Sequence, residues 1–480
     1  MNLAEAPPVT LTLNSSDRVA LWQLTFDEIE NYLDSVDTLP AAKNITRPQV
    51  LDRLRAVDFN QPVSPEEAIR FAADGLTDMQ VHATHRRYFG LFNPGSTTMG
   101  IAADALVAAF NPQVATWTHS PFATEVEVLV IRELGKKFGF TESEIDGTFC
   151  SGGAEANHTA LTCALVDRFP DFPASGLRCL SGDPTIYVSQ QAHHSFVKAA
   201  RFCGLGTDNV RQVPVDANAA MDSTALRQLI EADRKDGKLP FFVAATLGTT
   251  NAGILDPVEE IGEVARANDM WLHVDAAWGG MAALVPELNH LLAGVDQADS
   301  ITFDAHKKMS VPMGAGVFLT RHRHILGEAC RITTDYMPAQ AEDTFDPYTH
   351  SMQWSRRFIG LKVFLSLMVA GWEGYAEALR HQISMGDLLR QKLTKAGWQV
   401  VNDTPLPVVC FTEADKEPSA ERFTAIVKGL VESGRAWISM TRLAEGMPVL
   451  RACITSYRTT PDDIDELVAA LEDMRREYGP

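Results

Sequence analysis

From about Val81 to Leu367 the chain alternates short apolar runs with stretches whose apolar residues recur at helical spacing. The runs lie near Gly147 to Cys150, Thr185 to Ser189, Phe241 to Leu247, Trp271 to Ala276, Ile301 to Asp304 and Gly316 to Leu319. Runs of this length, apolar at nearly every position and separated by helices, predict a mainly parallel sheet covered on both faces. Polar or glycine-rich segments follow the runs directly. Because open α/β sheets hold ligands at the carboxyl ends of their strands, those segments are expected to meet in space.

Residues 1–80 read differently. Thr25 to Leu33 is amphipathic, and Ser64-Pro-Glu-Glu67 has capping-box spacing with proline at the first helical position, so this stretch predicts a helical arm. It is too small to fold alone and is expected to drape over the large domain, residues 81–370, or over a partner subunit. Residues 371–480 read as a smaller α+β domain. There a long helix runs to Gly397, followed by strands Trp398 to Val401 and Val408 to Phe411, a helix Ala420 to Glu432, and strands Ala436 to Met440 and Val449 to Thr455. A last helix starts at Thr460-Pro461, with Ile464, Leu467, Val468 and Leu471 on one face.

Composition narrows the partners. With 480 residues, 45% of them hydrophobic, the chain can bury one large core and a smaller one. Its 42 basic and 62 acidic residues leave a net charge of −20, which argues against general affinity for nucleic acid or anionic lipid. Seven cysteines, odd in number and without a C-x-x-C pair, suggest neither a disulfide framework nor a zinc site. Reduced thiols, and a segment Met1 to Pro8 without a basic or sustained apolar stretch, lead to the expectation of a cytoplasmic protein with no leader. No apolar run is long enough to span a bilayer.

The chemistry centres on two strand ends. Lys307 lies in Asp304-Ala-His-Lys-Lys308, and Asp275 ends the apolar run in His273-Val-Asp-Ala-Ala-Trp278. A lysine amine forms a Schiff base with an aldehyde, and a buried carboxylate facing a pyridine nitrogen keeps that nitrogen protonated, which is what pyridoxal 5′-phosphate (PLP) needs of a protein. An unpaired charge at the end of an apolar strand is costly, so Asp275 requires a cationic or strongly donating partner. Ala276 and Ala277 leave room for a planar ring, and Asp304 and His306 are placed to orient Lys307. Lys308 is a direct rival, since spacing does not separate adjacent lysines. The segment Gly147 to Asn157 breaks at two glycines and turns straight into a helix, so Gly153, Ala154 and Ser151 can cradle a phosphate; alone, such a turn more often serves packing only. In Ser189 to Lys198, His193 is better placed than His194 to lay its ring on a flat cofactor and move a proton, although a single histidine is as readily structural.

Taken together, His85-Arg-Arg-Tyr-Phe-Gly90, Trp117-Thr-His-Ser-Pro121 with Glu125 and Glu127, Ser151-Gly-Gly-Ala-Glu-Ala-Asn157 and Ala245-Thr-Leu-Gly-Thr-Thr250 resemble the group II PLP-dependent amino-acid decarboxylases. His273-Val-Asp-Ala-Ala-Trp278 and Asp304-Ala-His-Lys307 extend the resemblance, which runs from about His85 to Leu367; Leu450-Arg-Ala-Cys-Ile454 and Arg458-Thr-Thr460 look like the family's small domain. The resemblance implies the PLP-dependent transferase fold (fold type I), with a mainly parallel sheet of the seven-stranded type, a smaller C-terminal α+β domain and an N-terminal helical arm. It implies a symmetric homodimer with the arm crossing over.

The same resemblance makes Lys307 the Schiff-base lysine, Asp275 the partner of the ring nitrogen, and His193 the residue stacked on the ring. Thr246 becomes a cofactor contact, and Gly153, Ala154 and Asp304 neighbours of the phosphate, with Ala154 and Asp304 standing where many members have Ser and Asn. Tyr336 stands where the family carries a loop tyrosine that protonates the α-carbon, with Tyr348 as the alternative. Tyr88, Phe89, Leu91, Phe92, Gln113 and Trp117 are expected to line an apolar, aromatic-tolerant substrate pocket, Leu91 replacing a glutamine of the acidic-substrate branch. The implied activity is decarboxylation of an aromatic or other neutral L-amino acid to the amine and carbon dioxide. Transamination or aldehyde formation on the same cofactor, and a non-catalytic scaffold, are the alternatives.

Overall fold

The apolar runs pair into one sheet. In a computed structural model, which describes residues 11–332, 334–337, 340, 342–443 and 446–479, the strands are β1 (Asp146–Cys150), β2 (Pro184–Ser189), β3 (Val210–Val213), β4 (Leu239–Thr246), β5 (Trp271–Asp275), β6 (Ser300–Asp304) and β7 (Gly316–Thr320). Their order is β1-β7-β6-β5-β4-β2-β3, and β7 alone runs against its neighbours. Strand β3 was not expected. It is an edge strand whose middle residues, Arg211 and Gln212, are not buried, so its polar centre reads as a loop. Met1 to Pro8, on which the expectation of no leader rests, lie outside the described residues.

Strand alternation divides the core in two. Val243 and Ala245 of β4, Leu272 and Val274 of β5, and Ile301 and Phe303 of β6 join the cluster that contains Val258 and Ile261 of the helix Val258–Ala267. Phe242, Ala244 and Trp271 pack on the other face, with the helices Gly153–Arg168 and Ser195–Phe202. By the two-residue period, His273 and Asp275 of β5 and Ser300, Thr302 and Asp304 of β6 share that second face. A polar stripe therefore lies beneath the helix that follows the glycine turn.

The second sheet is antiparallel, in the order β10-β11-β9-β8, formed by β8 (Trp398–Val400), β9 (Val408–Glu413), β10 (Ser439–Arg442) and β11 (Pro448–Cys453). The helices Ala420–Ser433 and Pro461–Glu477 cover it, the latter started by the Thr460 capping box. A long helix, Gly360–Lys395, runs from the large sheet to the small one and is broken at Gly371, whose φ of 62° suits a residue without a Cβ. The expected strand Ala436 to Met440 is displaced to β10. Its first residues are diverted, because Trp437 N–H donates to Arg87 O (3.1 Å) and Trp437 O accepts from Phe89 N–H (2.8 Å) before the chain reaches β11.

The arm comprises the helices Ser15–Ser35, Arg47–Leu54 and Pro65–Asp78, the last capped by Ser64 and Glu67 as the sequence predicts. None of these helices buries a residue within the protomer. No helix among the described residues is long and apolar enough to cross a membrane.

Candidate active site

Where β1 ends, Ser151 and Gly152 turn the chain into the helix Gly153–Arg168. A Cβ at Gly153 would lie 2.9 Å from Asp304 Oδ2 and 3.4 Å from the Ala277 Cβ, so the turn is held against β6 and the loop after β5. Ser151 is not free to bind an anion, since its N–H and Oγ both donate to Glu155 Oε2, at 2.8 and 2.6 Å. The donors left for a phosphate are those of the helix's first turn, at Gly153 and Ala154.

Those residues line a cavity of about 360 Å³ together with His193, Thr246, Asp275, Ala277, Asp304, His306 and Lys307. All the cofactor positions proposed on sequence grounds thus meet in one place. Lys307 Nζ is 2.9 Å from Asp304 Oδ2. Asp275 accepts from Ala277 N–H at 3.1 Å and from Asn157 Nδ2 at 2.9 Å. His193 Nδ1 accepts the Ser195 N–H at 3.2 Å, which places the neutral ring's proton on Nε2. Burial lowers the His193 pKa, partly opposed by the nearby Asp275 charge; burial likewise lowers that of His306, whose Nδ1 accepts from Ala315 N–H at 3.2 Å.

The cavity fits PLP on the protein's own terms. Among the described residues Thr246 Oγ1 and Asp304 Oδ1 are buried without a hydrogen-bond partner, although both residues line it. Buried polar atoms are rarely left so, and a ligand with its own polar groups would satisfy them. Lysine, carboxylate, histidine and helix turn supply what an aldehyde, a pyridine nitrogen, a flat ring and a phosphate require. Among the described residues, no group of three or more His, Cys, Asp and Glu is arranged to hold a metal.

The geometry separates the two lysines. Lys308 points away from the cavity and is fully buried, donating to Gln382 Oε1 at 2.9 Å and to Ile454 O at 3.1 Å. Asn157, which also lines the cavity, was not singled out from sequence; its one signal is its place a single helical turn after Gly153.

Other expected residues are not brought here within one protomer. Tyr336 is 74% exposed, its ring beside Trp354 at 6.2 Å, and Tyr348 is buried against the same tryptophan at 4.7 Å. Of the six substrate-pocket residues none lines the cavity. Tyr88 stacks on Trp437, Phe92 stacks on the cavity residue Trp278, Phe89 is buried in the core of the small domain and Leu91 is exposed. Gln113, which bonds Ser355 and His119, lines a separate apolar groove, and Trp117 Nε1 donates to Glu125 at 2.8 Å. The segment after β2 and the loops after β4 to β6 converge; these two clusters do not.

Sheet topology and site define the class, an α/β enzyme of fold type I. The chain belongs to the pyridoxal-dependent decarboxylase family, whose conserved domain matches residues 48–413. It is 27% identical to an aromatic-L-amino-acid decarboxylase of Bacillus atrophaeus over 98% of both chains. It is 31% identical to an L-aspartate decarboxylase of Metarhizium robertsii, covering 70% of this chain and 69% of that one. The solved Oryza sativa TDC with PLP and tryptamine superposes with a TM-score of 0.90 at 25% identity, over 98% of this chain and 99% of that one. The cofactor is PLP and the reaction is the decarboxylation of an amino acid.

The Lys308 amine has a testable signature. Burial pushes its pKa down to about 7, below the roughly 10.4 of an unfolded lysine. Between those values the unfolded chain binds a proton that the folded chain does not, so this group's penalty is full below the lower value and is relieved as pH rises. Lys308→Met should remove about one proton's worth of slope from the stability profile across roughly pH 7 to 10, measured by chemical denaturation at a series of pH values.

Proposed function

We propose that this enzyme decarboxylates an aromatic or other neutral L-amino acid, with Lys307 as the residue that carries the cofactor aldehyde. The observation that carries the reading is one cavity holding the Lys307 amine, the Asp275 carboxylate and the glycine-led helix turn. When bound, PLP supplies an electron sink for the charge left at the α-carbon as carbon dioxide departs. Asp275, fixed by Ala277 N–H and Asn157 Nδ2, is the acceptor for the ring nitrogen's proton. Asp304 holds the Lys307 amine whenever that amine is free. Proton return to the α-carbon is assigned to Tyr336 or to the Nε2–H of His193, with Tyr348 as the alternative tyrosine.

A neutral side chain is favoured because the cavity lining contains no arginine, so a second substrate carboxylate would lack a dedicated counter-charge. The Bacillus relative's aromatic substrates and the tryptamine in the Oryza structure support the same choice. Leu91, exposed in the protomer, is consistent with it.

A homodimer is part of the proposal. Phe110 is 81% and Phe122 68% exposed, beside a groove of about 890 Å³ lined by Val107, Phe358, Leu361 and Phe364. No residue of the arm helices is fully buried in its own protomer, and an apolar face of this kind requires a cover. A second copy offers both the matching face and the missing site for the arm. The seven cysteines, all free, support a reducing, cytoplasmic setting.

Lys307→Ala should lose the borohydride-trapped cofactor label on that residue's peptide and at least about a thousandfold in turnover, whereas amine formation by the intact enzyme should be greatest with aromatic substrates in a panel of common amino acids. Tyr336→Phe should raise aldehyde and peroxide at the expense of amine when dioxygen is present, while a variant that still yields only amine would move the assignment from Tyr336 to His193 or Tyr348. Phe110→Glu with Phe122→Glu should shift the mass seen by light scattering from two chains to one.

A further inference from the structure

We infer that Asn157, His273, Ser300 and Trp271 are positioning residues that fix the direction of the hydrogen bonds on the Asp275 carboxylate and so set its grip on the bound cofactor. The inference rests on the assignment of Asp275 to the pyridine nitrogen.

Its basis is register. Trp271, His273 and Asp275 alternate onto one face of β5, and the pairing places His273 beside Ser300 and Asp275 beside Thr302 of β6. All are buried, as is Asn157 above them. Six contacts join them, one of them between Thr302 Oγ1 and His273 Nε2 at 3.3 Å. Trp271 Nε1 lies 2.8 Å from Ser300 Oγ, which lies 2.8 Å from His273 Nδ1. His273 Nε2 lies 3.1 Å from Asn157 Oδ1, which also receives the Thr302 hydroxyl at 2.6 Å. Asn157 Nδ2 reaches Asp275 Oδ2 at 2.9 Å.

Each end of this line can act in only one sense. An indole N–H only donates, and an ionised carboxylate only accepts. From the Asp275 end, the Asn157 amide must present its NH2 to the carboxylate, and its oxygen therefore faces His273. The imidazole must then carry its proton on Nε2, leaving Nδ1 to accept from the Ser300 hydroxyl. That hydroxyl, its single proton spent, accepts from Trp271, which is what the indole requires. Trp271 is compatible with this assignment, since the Ser300 hydroxyl accepts the indole N–H whichever way its own proton points, so one set of proton positions satisfies every member. Burial pushes the His273 pKa down to about 4, so the ring stays neutral and keeps this tautomer at ordinary pH. The free hydrogen of the Asn157 amide is taken up as well, by Ser195 Oγ at 2.9 Å, the residue whose N–H fixes the His193 ring.

The experiment compares Asn157→Asp, which turns an acceptor toward Asp275 at constant shape, with His273→Phe, His273→Gln and Trp271→Phe in the purified holoenzyme. Three quantities are read: the PLP dissociation constant, the ratio of visible to near-ultraviolet absorbance of bound cofactor, and the melting temperature of the cofactor-free protein. Loss of a hydrogen bond to a charged group should weaken cofactor binding about tenfold or more in Asn157→Asp and His273→Phe, with the visible band diminished. Trp271→Phe should move both in the same direction by less. His273→Gln, which keeps an N–H near Nε2, should recover most of the spectrum.

Wild-type affinity and band ratio in Asn157→Asp and Trp271→Phe would overturn the inference, as would a lowered melting temperature with an unchanged spectrum. Should His273→Phe fail to fold, these two variants still decide. Asp275→Asn separates the layers: if it leaves spectrum and affinity unchanged, the assignment of Asp275 itself has failed, and if it alone changes them, the relay has.

Discussion

A carboxylate buried at the end of β5 is the constraint around which the site is built. Removing the partner of a buried charge costs about 3–5 kcal/mol, so Asp275 is tolerable only while its oxygens are engaged. Ala277 N–H and Asn157 Nδ2 engage them from two elements, the loop after β5 and the helix Gly153–Arg168. The second of these helps hold that helix against the sheet, and the helix's first turn is where the proposed site has its phosphate donors. Satisfying one charge thus aligns two parts of the cofactor site that are more than a hundred residues apart in the chain.

Much of the fold was legible because the core strands are short, mostly apolar runs and the helices carry explicit start signals, such as Ser64, Thr460 and their acidic partners three residues on. Strand β3 was not, since Arg211 spends its charge on Asp233 at the sheet's edge and hides the pattern. Among site residues, those following strands on the large sheet were legible because topology brings strand ends together whatever the details. Tyr88, Phe92, Gln113 and Trp117 lack that guarantee, lying before the first strand where no periodicity dictates their neighbours. Ser300 and Thr302 are not legible for another reason. A polar residue inside an apolar run carries no meaning until the register with the adjacent strand is known.

Lys307 and Lys308 show how local direction decides chemistry. Both follow β6 in one short helix. One reaches the cavity and meets Asp304, while its neighbour turns toward Gln382 and the Ile454 carbonyl, joining the large domain to the long helix and the small sheet. Identical side chains one residue apart become a cavity-lining amine and a structural cross-brace.

The pairing of residues 87 to 90 with the small domain reaches further. Trp437 bonds on both sides of Tyr88, Cys453 N–H donates to Phe89 O at 2.9 Å, and a Cβ at Gly90 would strike the Trp437 ring at 1.9 Å. This stretch is therefore an integral part of the C-terminal domain in all but chain order. Recombination between homologues that exchanged the C-terminal domain alone would import a mismatched seam, so lineages of this enzyme are constrained to let the two distant segments change in concert.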